Sequence, residues 1–349
     1  LDNSELIMAL SLLCSAPGIS GGEDAVRGAV YRLIGESAAC AAGGMGNIVA
    51  GPADAAGGLV VCAQLDEPGF LAAGANESGG ITLSAVSGGG GRPDARCAVG
   101  SRVIFPARGV LGVIGTRAVH RQSREERTSV PDIESLSVDI GASGANEALM
   151  AVSPGDCALY DSQPGAFGGG LFRGRSAGTR AGAAALAFAA HSLPQGCRAA
   201  FASRCVTDYS GVKTLSFSLR PDDFIFVGAC DAGDTPFGGD KGGDTVLGGG
   251  PVISFTDGDA LCDASLTGMI RGAAESEGIA IQQLRTASGG GAAAAQAAAG
   301  GVRAACISLP VRYRGAPCEC VSLGDVLGAA RLIEAVMKNY SATCGEKRC

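Results

Sequence analysis

The chain has 349 residues, 46% of them apolar and 17% charged, with a formal net charge of −7. That length supplies a large core and room for more than one domain, in a globular rather than disordered chain. The acidic balance, with no long basic run, argues against nucleic acid as a partner, and no apolar run is long enough for a membrane span.

Helical spacing covers residues 4–14 and 23–36, joined by the turn SAPGISGGED, with Glu23 and Asp24 in the first turn of the second helix. The opening segment has no basic n-region, so it reads as an amphipathic helix rather than a signal peptide, and the expected location is cytoplasmic. GMGNIVAG and GLVVCAQLD read as two strands with a turn between them. The second ends in AQLDEPGF, at the kind of polar strand edge where α/β proteins build their sites. From about residue 70 to 160 the texture changes to short strands (FLAAGA, GITLSAV, SRVIFPA, GVLGVIGT, LSVDIGA) separated by turn residues, which signals a small all-β domain.

After about residue 165 the α/β pattern resumes. RAGAAALAFAAHSL reads as a helix, AAFASRCV, DFIFVGAC and PVISFT as buried strands, CDASLTGMIRGAAESEG as a helix, RAACISLPV as a strand and SLGDVLGAARLIEAVMKNY as a closing helix. The expected architecture is therefore an α/β core over residues 1–70 and 162–349, with a central mixed sheet between helices, interrupted by an all-β insertion over 71–161. Glycine-rich words such as SGGGGRPD and FGGDKGGDTVLGGGP mark loops. SGGGAAAAQAAAGG lacks the lysine and spacing of a phosphate-binding loop and reads as a loop leading into a helix.

The 14 cysteines form no C-x-x-C; the nearest pairs are Cys318/Cys320 and Cys344/Cys349. They read as small buried hydrophobes in a reducing compartment. The two histidines are His120, expected at a surface or interface, and His191, expected at a helix C-terminus. Two histidines are few for a site that holds two metals through imidazole and carboxylates.

In sequence order the motifs SAPGISGGEDAVR, GNIVA, AQLDEPGF, LSVDIGAS, RSAGTRAG, GDTP, GGGPVISFTD and ISLPVRYRGAPCECVSLGDV resemble those of the TET-type dinuclear aminopeptidases, the glutamyl or deblocking aminopeptidases of metallopeptidase family 42. The resemblance implies a zinc-peptidase α/β core with an inserted barrel or PDZ-like domain that helps twelve subunits form a tetrahedral shell. It also implies two zinc or cobalt ions held by two histidines, a bridging aspartate, a glutamate and an aspartate, with a further glutamate as general base.

At the matching positions this chain departs from the family. Gln64 stands for the first histidine, Gly178 for the bridging aspartate with Thr179 beside it, and Val206 for the ligand glutamate. Gly228 stands for the ligand aspartate, Gly315 for the last histidine, Cys205 for the base, and Ala293 for the aspartate of the family's G-G-G-T-D. Asp66, Arg180, Gly182, Asp234, Arg312, Tyr313 and Pro317 keep the family pattern.

Glycine and valine offer a metal no donor atom, so no metal is expected here. The chain reads as a catalytically inactive homologue that serves as a structural, regulatory or peptide-binding subunit, alone or in a mixed shell with an active paralogue. The alternative is an active aminopeptidase with unorthodox ligands such as Asp66, Asp208, Asp231 and Glu319, or with Cys205 as nucleophile near Cys230. Asp66 is either a carboxylate that once oriented the histidine ligand or a strand-end cap.

Overall fold

The computed structural model describes residues 2–35, 39–52, 56–236, 244–287, 289–298 and 300–346. Residues 237–243 of the FGGDKGGDTVLGGGP loop, and Cys349 of the Cys344/Cys349 pair, lie outside them.

Four parallel strands form the centre of a nine-stranded sheet, in the order Cys197–Ala202, Leu59–Gln64, Asp223–Asp231, Arg303–Val311. Asn47–Ala50 flanks them antiparallel on one side and Val252–Asp257 on the other. GMGNIVAG and GLVVCAQLD do form strands, but Cys197–Ala202 lies between them. All six residues of Leu59–Gln64 are buried, as expected of a parallel strand covered on both faces.

One face packs against Asn3–Ser15, Asp24–Ile34, Ala177–Ala189, Ala264–Ser276 and Leu323–Glu346, and the other against Ser210–Leu219 and Gly291–Gln296. Alanine and glycine along Ala177–Ala189 let that helix sit close to the sheet: a Cβ on Gly182 would lie 3.3 Å from the Val227 carbonyl oxygen. Among the described residues no helix is long and apolar enough to cross a membrane.

The stretch with all-β texture closes into a six-stranded barrel, in the order Gly69–Ala75, Ile81–Val86, Ser137–Asp139, Val110–Gly115, Arg102–Phe105, Cys157–Tyr160. Its core is its own, built on residues such as Phe105, Ile114 and Val138, with Phe70 and Tyr160 packed edge-on at 5.3 Å. A third sheet, of Gly165–Phe167, Leu171–Gly174 and Glu319–Ser322, was not expected from the sequence.

The strand expected over AAFASRCV ends early, at Ala202. Arg204 adopts a left-handed φ of 52°, and Cys205–Asp208 forms a helical turn. Arg204 and Cys205 are therefore not successive residues of a strand. The cause is local: the amides of Arg204, Cys205 and Val206 donate to two buried carboxylates, Glu23 and Asp66, so they are satisfied without a sheet partner.

Candidate functional site

The C-terminal edge of the four parallel strands carries most of the positions singled out from sequence. Gln64 ends its strand opposite Ala202, and Gly228 lies opposite Ser308. Asp66, just past that edge, is fully buried. It accepts from the Ser20 hydroxyl at 2.5 Å, the Cys205 amide at 2.8 Å and the Val206 amide at 2.7 Å. Burial raises its pKa to about 6 against the pull of those three donors, and nearby Glu23 adds to the rise. Asp66 thus caps the turn that carries Cys205 and Val206.

Gly178 and Gly315 are tied together by Glu319. The Gly178 amide donates to one carboxylate oxygen at 2.9 Å and the Gly315 amide to the other at 2.8 Å. Burial raises the Glu319 pKa, and the two amides oppose that rise. Gly315 has a φ of 78°, and a Cβ there would fall within 3.0 Å of the Arg92 carbonyl oxygen. A Cβ on Gly178 would meet Ala229 and Val311 at 3.1 Å, and one on Gly228 would meet the Phe226 ring at 3.2 Å.

The glycine run of SGGGGRPD seats on these positions. The Gly90 amide donates to the Val206 carbonyl at 3.2 Å, and the Gly90 carbonyl accepts from Gln64 Nε2 at 3.4 Å. Gly89 accepts from the Tyr209 hydroxyl at 3.2 Å, and the Asp94 amide donates to the Gly315 carbonyl at 2.8 Å. A Cβ on Gly88 or Gly90 would collide with the carbonyls of Thr207 and Cys205, so only glycine allows this approach.

What remains open at the sheet edge is a cavity of about 10 Å³, with Gln64, Thr179, Tyr209, Asp257, Ser308 and Arg314 in its wall. That is room for about one water molecule. Asp257 is fully buried; its Oδ2 accepts from the Ala292 amide at 2.7 Å, while Oδ1 has no hydrogen-bond partner among the described residues. Burial raises its pKa against the Ala292 and Ala293 amides and the Arg314 guanidinium. Arg314 also borders an open cleft of about 950 Å³ that runs toward the barrel, where Arg92, Asp94, Asp132, Glu134 and Asp231 line it.

The sequence did not single out Asp257. Asp257 closes the motif GGGPVISFTD, but its residue type and position assigned it no site role, although the glycines of SGGGAAAAQAAAGG hint at one. A Cβ on Gly289 would collide with Asp257, one on Gly290 with the Tyr209 ring and one on Gly291 with the Phe226 ring. Ala293 is half-buried in the Gly291–Gln296 helix that follows.

The residues named as unorthodox ligands do not converge. Asp208 is exposed and bonded to Ser210, Asp231 is exposed at a strand end, and Asp66 and Glu319 are taken up by backbone amides. Among the described residues no group of three or more His, Cys, Asp and Glu side chains is placed to hold a metal ion. The Cys205 thiol is fully buried, and burial, then Asp66, Cys62, Glu23 and Asp208, push its pKa well up. The Cys230 thiol is buried as well, and burial, then Asp231, push its pKa up.

His120 is exposed in the short Val119–Arg121 turn, and His191 Nε2 lies 2.7 Å from the Leu33 carbonyl just past a helix end. The retained scaffold residues hold the frame. Arg312 forms a two-pronged pair with Asp234 at 3.0 and 2.6 Å. Arg180 and Arg175 converge on Glu67 and, against its burial, hold that carboxyl below its usual range.

Comparison with known proteins places this geometry in context. The family model for M42 glutamyl aminopeptidase matches residues 46–332. A candidate aminopeptidase of Acetivibrio thermocellus is 28% identical over 342 residues, 96% of this chain and 100% of that protein. The Pyrococcus horikoshii TET1 peptidase, which can assemble into a tetrahedron or a large octahedral shell, superposes with a TM-score of 0.81. It is 28% identical, with 95% of this chain and 98% of that one covered. An aminopeptidase of Desulfurococcus kamchatkensis shares the fold with a TM-score of 0.87 at 24% identity, over 97% and 95% of the two chains.

Proposed function

The chain belongs to the M42 glutamyl aminopeptidase family, and from that premise we propose that it is a member without the dinuclear metal centre, acting as a peptide-binding or structural subunit. The observation that carries the reading is the Gly178–Glu319–Gly315 bridge. Two of the positions that match metal ligands have no side chain, and their backbones are joined by a buried carboxylate. Gln64 contributes an amide already donating to the Asp66 and Gly90 carbonyls, and Val206 and Gly228 contribute no donor atom. These residues do not fit two divalent ions, so no hydrolytic step is routed through such ions.

The same reading divides the chain into a core over 1–70 and 162–349 and an insertion over 71–161 that carries contacts between subunits. It assembles the protein as a homo-oligomeric shell, or as a mixed shell with a ligand-complete paralogue, in the cytoplasm. The shells formed by the P. horikoshii relative support assembly.

The deciding experiment is metal content, measured by mass spectrometry after dialysis against zinc and cobalt without chelator. The reading expects less than about 0.1 metal per chain, where an intact centre approaches two. One or two tightly held ions per chain would overturn it in favour of an active aminopeptidase with unorthodox ligands.

A further inference from the structure

We propose that Cys318 and Cys320 form a reversible disulfide whose closure loosens the Glu319 clamp between Gly178 and Gly315. The proposal goes beyond the reading above and does not depend on it. Cys318 is half-buried at a bend, and Cys320 is 4% exposed in the strand Glu319–Ser322. The residue between them is Glu319, whose carboxylate accepts from the Gly178 and Gly315 amides.

The pair offers a partly accessible thiol for an oxidant to meet and a covered one to resolve the product. Cys318 is close enough for its charge to act on the Cys320 thiol, which burial raises and the Arg312 guanidinium lowers. Cys320 is held from both sides. Its amide and carbonyl pair with Arg312 at 3.1 and 3.0 Å, and Arg173 lies opposite it in the strand Leu171–Gly174. Cys318 precedes the strand, so the movement that closes the bond falls on Cys318 and Glu319.

Ring closure acts on Glu319 by geometry. Two residues of extended chain span about 7 Å, and disulfide-linked Cα atoms lie at most about 6.8 Å apart. An extended Glu319 sets the pair at that limit, and closing the bond turns its backbone out of the extended form. Glu319 is the first residue of its strand, where pairing is broken at least cost. Its side chain then leaves the direction that reaches both amides. A bridge closed under such strain is readily reduced, which suits a switch.

The oxidant is a small-molecule disulfide such as glutathione disulfide. The Cys318 thiolate attacks one of its sulfurs, forming a mixed disulfide and expelling one glutathione thiolate. The Cys320 thiolate then attacks Cys318 Sγ and expels the second. The two cysteines lose two electrons and two protons, and the oxidant becomes two thiols.

The test treats the full chain with glutathione disulfide at neutral pH, at a concentration sufficient to modify the exposed Cys97. Alkylation, tryptic digestion and mass spectrometry follow. The tryptic peptide from Gly315 to Arg331 contains Cys318 and Cys320 and no other cysteine. It is expected to escape alkylation and to weigh two hydrogens less than the reduced peptide. Hydrogen exchange at the Gly178 and Gly315 amides is expected to be about tenfold faster in the oxidised protein, and the reductant dithiothreitol to reverse it. Cys318→Ser is expected to keep both amides protected under the same treatment. A peptide that keeps both thiols, or that stops with glutathione on Cys318, would overturn the disulfide. A disulfide that leaves the two amides as protected as before, or faster exchange that persists in Cys318→Ser, would overturn its coupling to the clamp. If the variant does not fold, the wild-type mapping and exchange decide alone.

Discussion

Gly315 holds a left-handed backbone with the carbonyl oxygen of Arg92 pressed into the space its Cβ would fill. A side chain at 315 therefore meets two obstacles, a φ of 78° and a backbone atom that is itself anchored two residues on, where the Asp94 amide bonds the Gly315 carbonyl. Gly315→His is expected to lower stability by about 1–3 kcal/mol from backbone strain alone. Combined with Gln64→His, it is expected still to bind less than about 0.1 zinc per chain. Thermal melts and metal analysis check both; a double variant of native stability with stoichiometric zinc would show that the site needs only its ligands back.

The carboxylate of Glu319 serves two amides with two oxygens. Glu319→Gln keeps one acceptor and sets an NH2 against the other amide, so one buried N–H loses its partner. A loss of about 1–3 kcal/mol is expected in urea unfolding, with an unchanged m-value. A neutral result would mean that the glycine bridge does not hold the two loops.

Asp66 gives a pH test whose sign is opposite to that of an ordinary ion-paired carboxylate. Its folded pKa, about 6, lies above the value of 3.8 for a free side chain, so between these the folded state binds the proton more tightly. Its contribution is full at low pH and is lost as pH rises through about 6. Asp66→Asn removes that dependence and also orphans one of the Cys205 and Val206 amides. The variant is expected to be less stable at both pH 4.5 and pH 7.5, with the larger deficit relative to wild type at pH 4.5. A deficit that instead grows toward neutral pH would contradict the burial-dominated pKa.

How much of this was legible in the sequence follows from the range of the interactions. The α/β core and the barrel are written in local periodicity, because buried parallel strands and half-buried barrel strands bear different patterns. The AQLDEPGF edge was legible because a strand running into Asp66, Glu67 and Pro68 marks where the polar rim begins. The turn at Arg204–Val206 was not: SRCV has strand composition, and what ends the strand is a pair of carboxylates, Glu23 and Asp66, remote in sequence. Glu319 was read as a candidate ligand because its two amide partners, 4 and 141 residues away, leave no local trace. The glycine run SGGGGRPD announced a loop, but where the loop seats depends on carbonyls at 205–207 that composition does not reveal.

That seating gives the last expectation, which also separates an inert Cys205 from a nucleophilic one. Gly90 lies against the Cys205 carbonyl, and its amide bonds Val206, so the loop covers the turn that carries the thiol. In the native protein Cys205 is fully buried and its thiol is driven well above the ordinary range, chiefly by burial, with Asp66 next. Iodoacetamide at pH 8, followed by peptide mapping, is expected to label the exposed Cys97 well before Cys205. Gly90→Val cannot seat the loop without displacing the Cys205 carbonyl, and a single side chain at this contact costs about 1–3 kcal/mol in overpacking. The variant is expected to label Cys205 at least tenfold faster than wild type while Cys62, buried within the strand Leu59–Gln64, stays protected. Fast labelling of Cys205 in the wild type, at or above the rate of Cys97, would instead mark an activated thiolate and revive the thiol reading of this site.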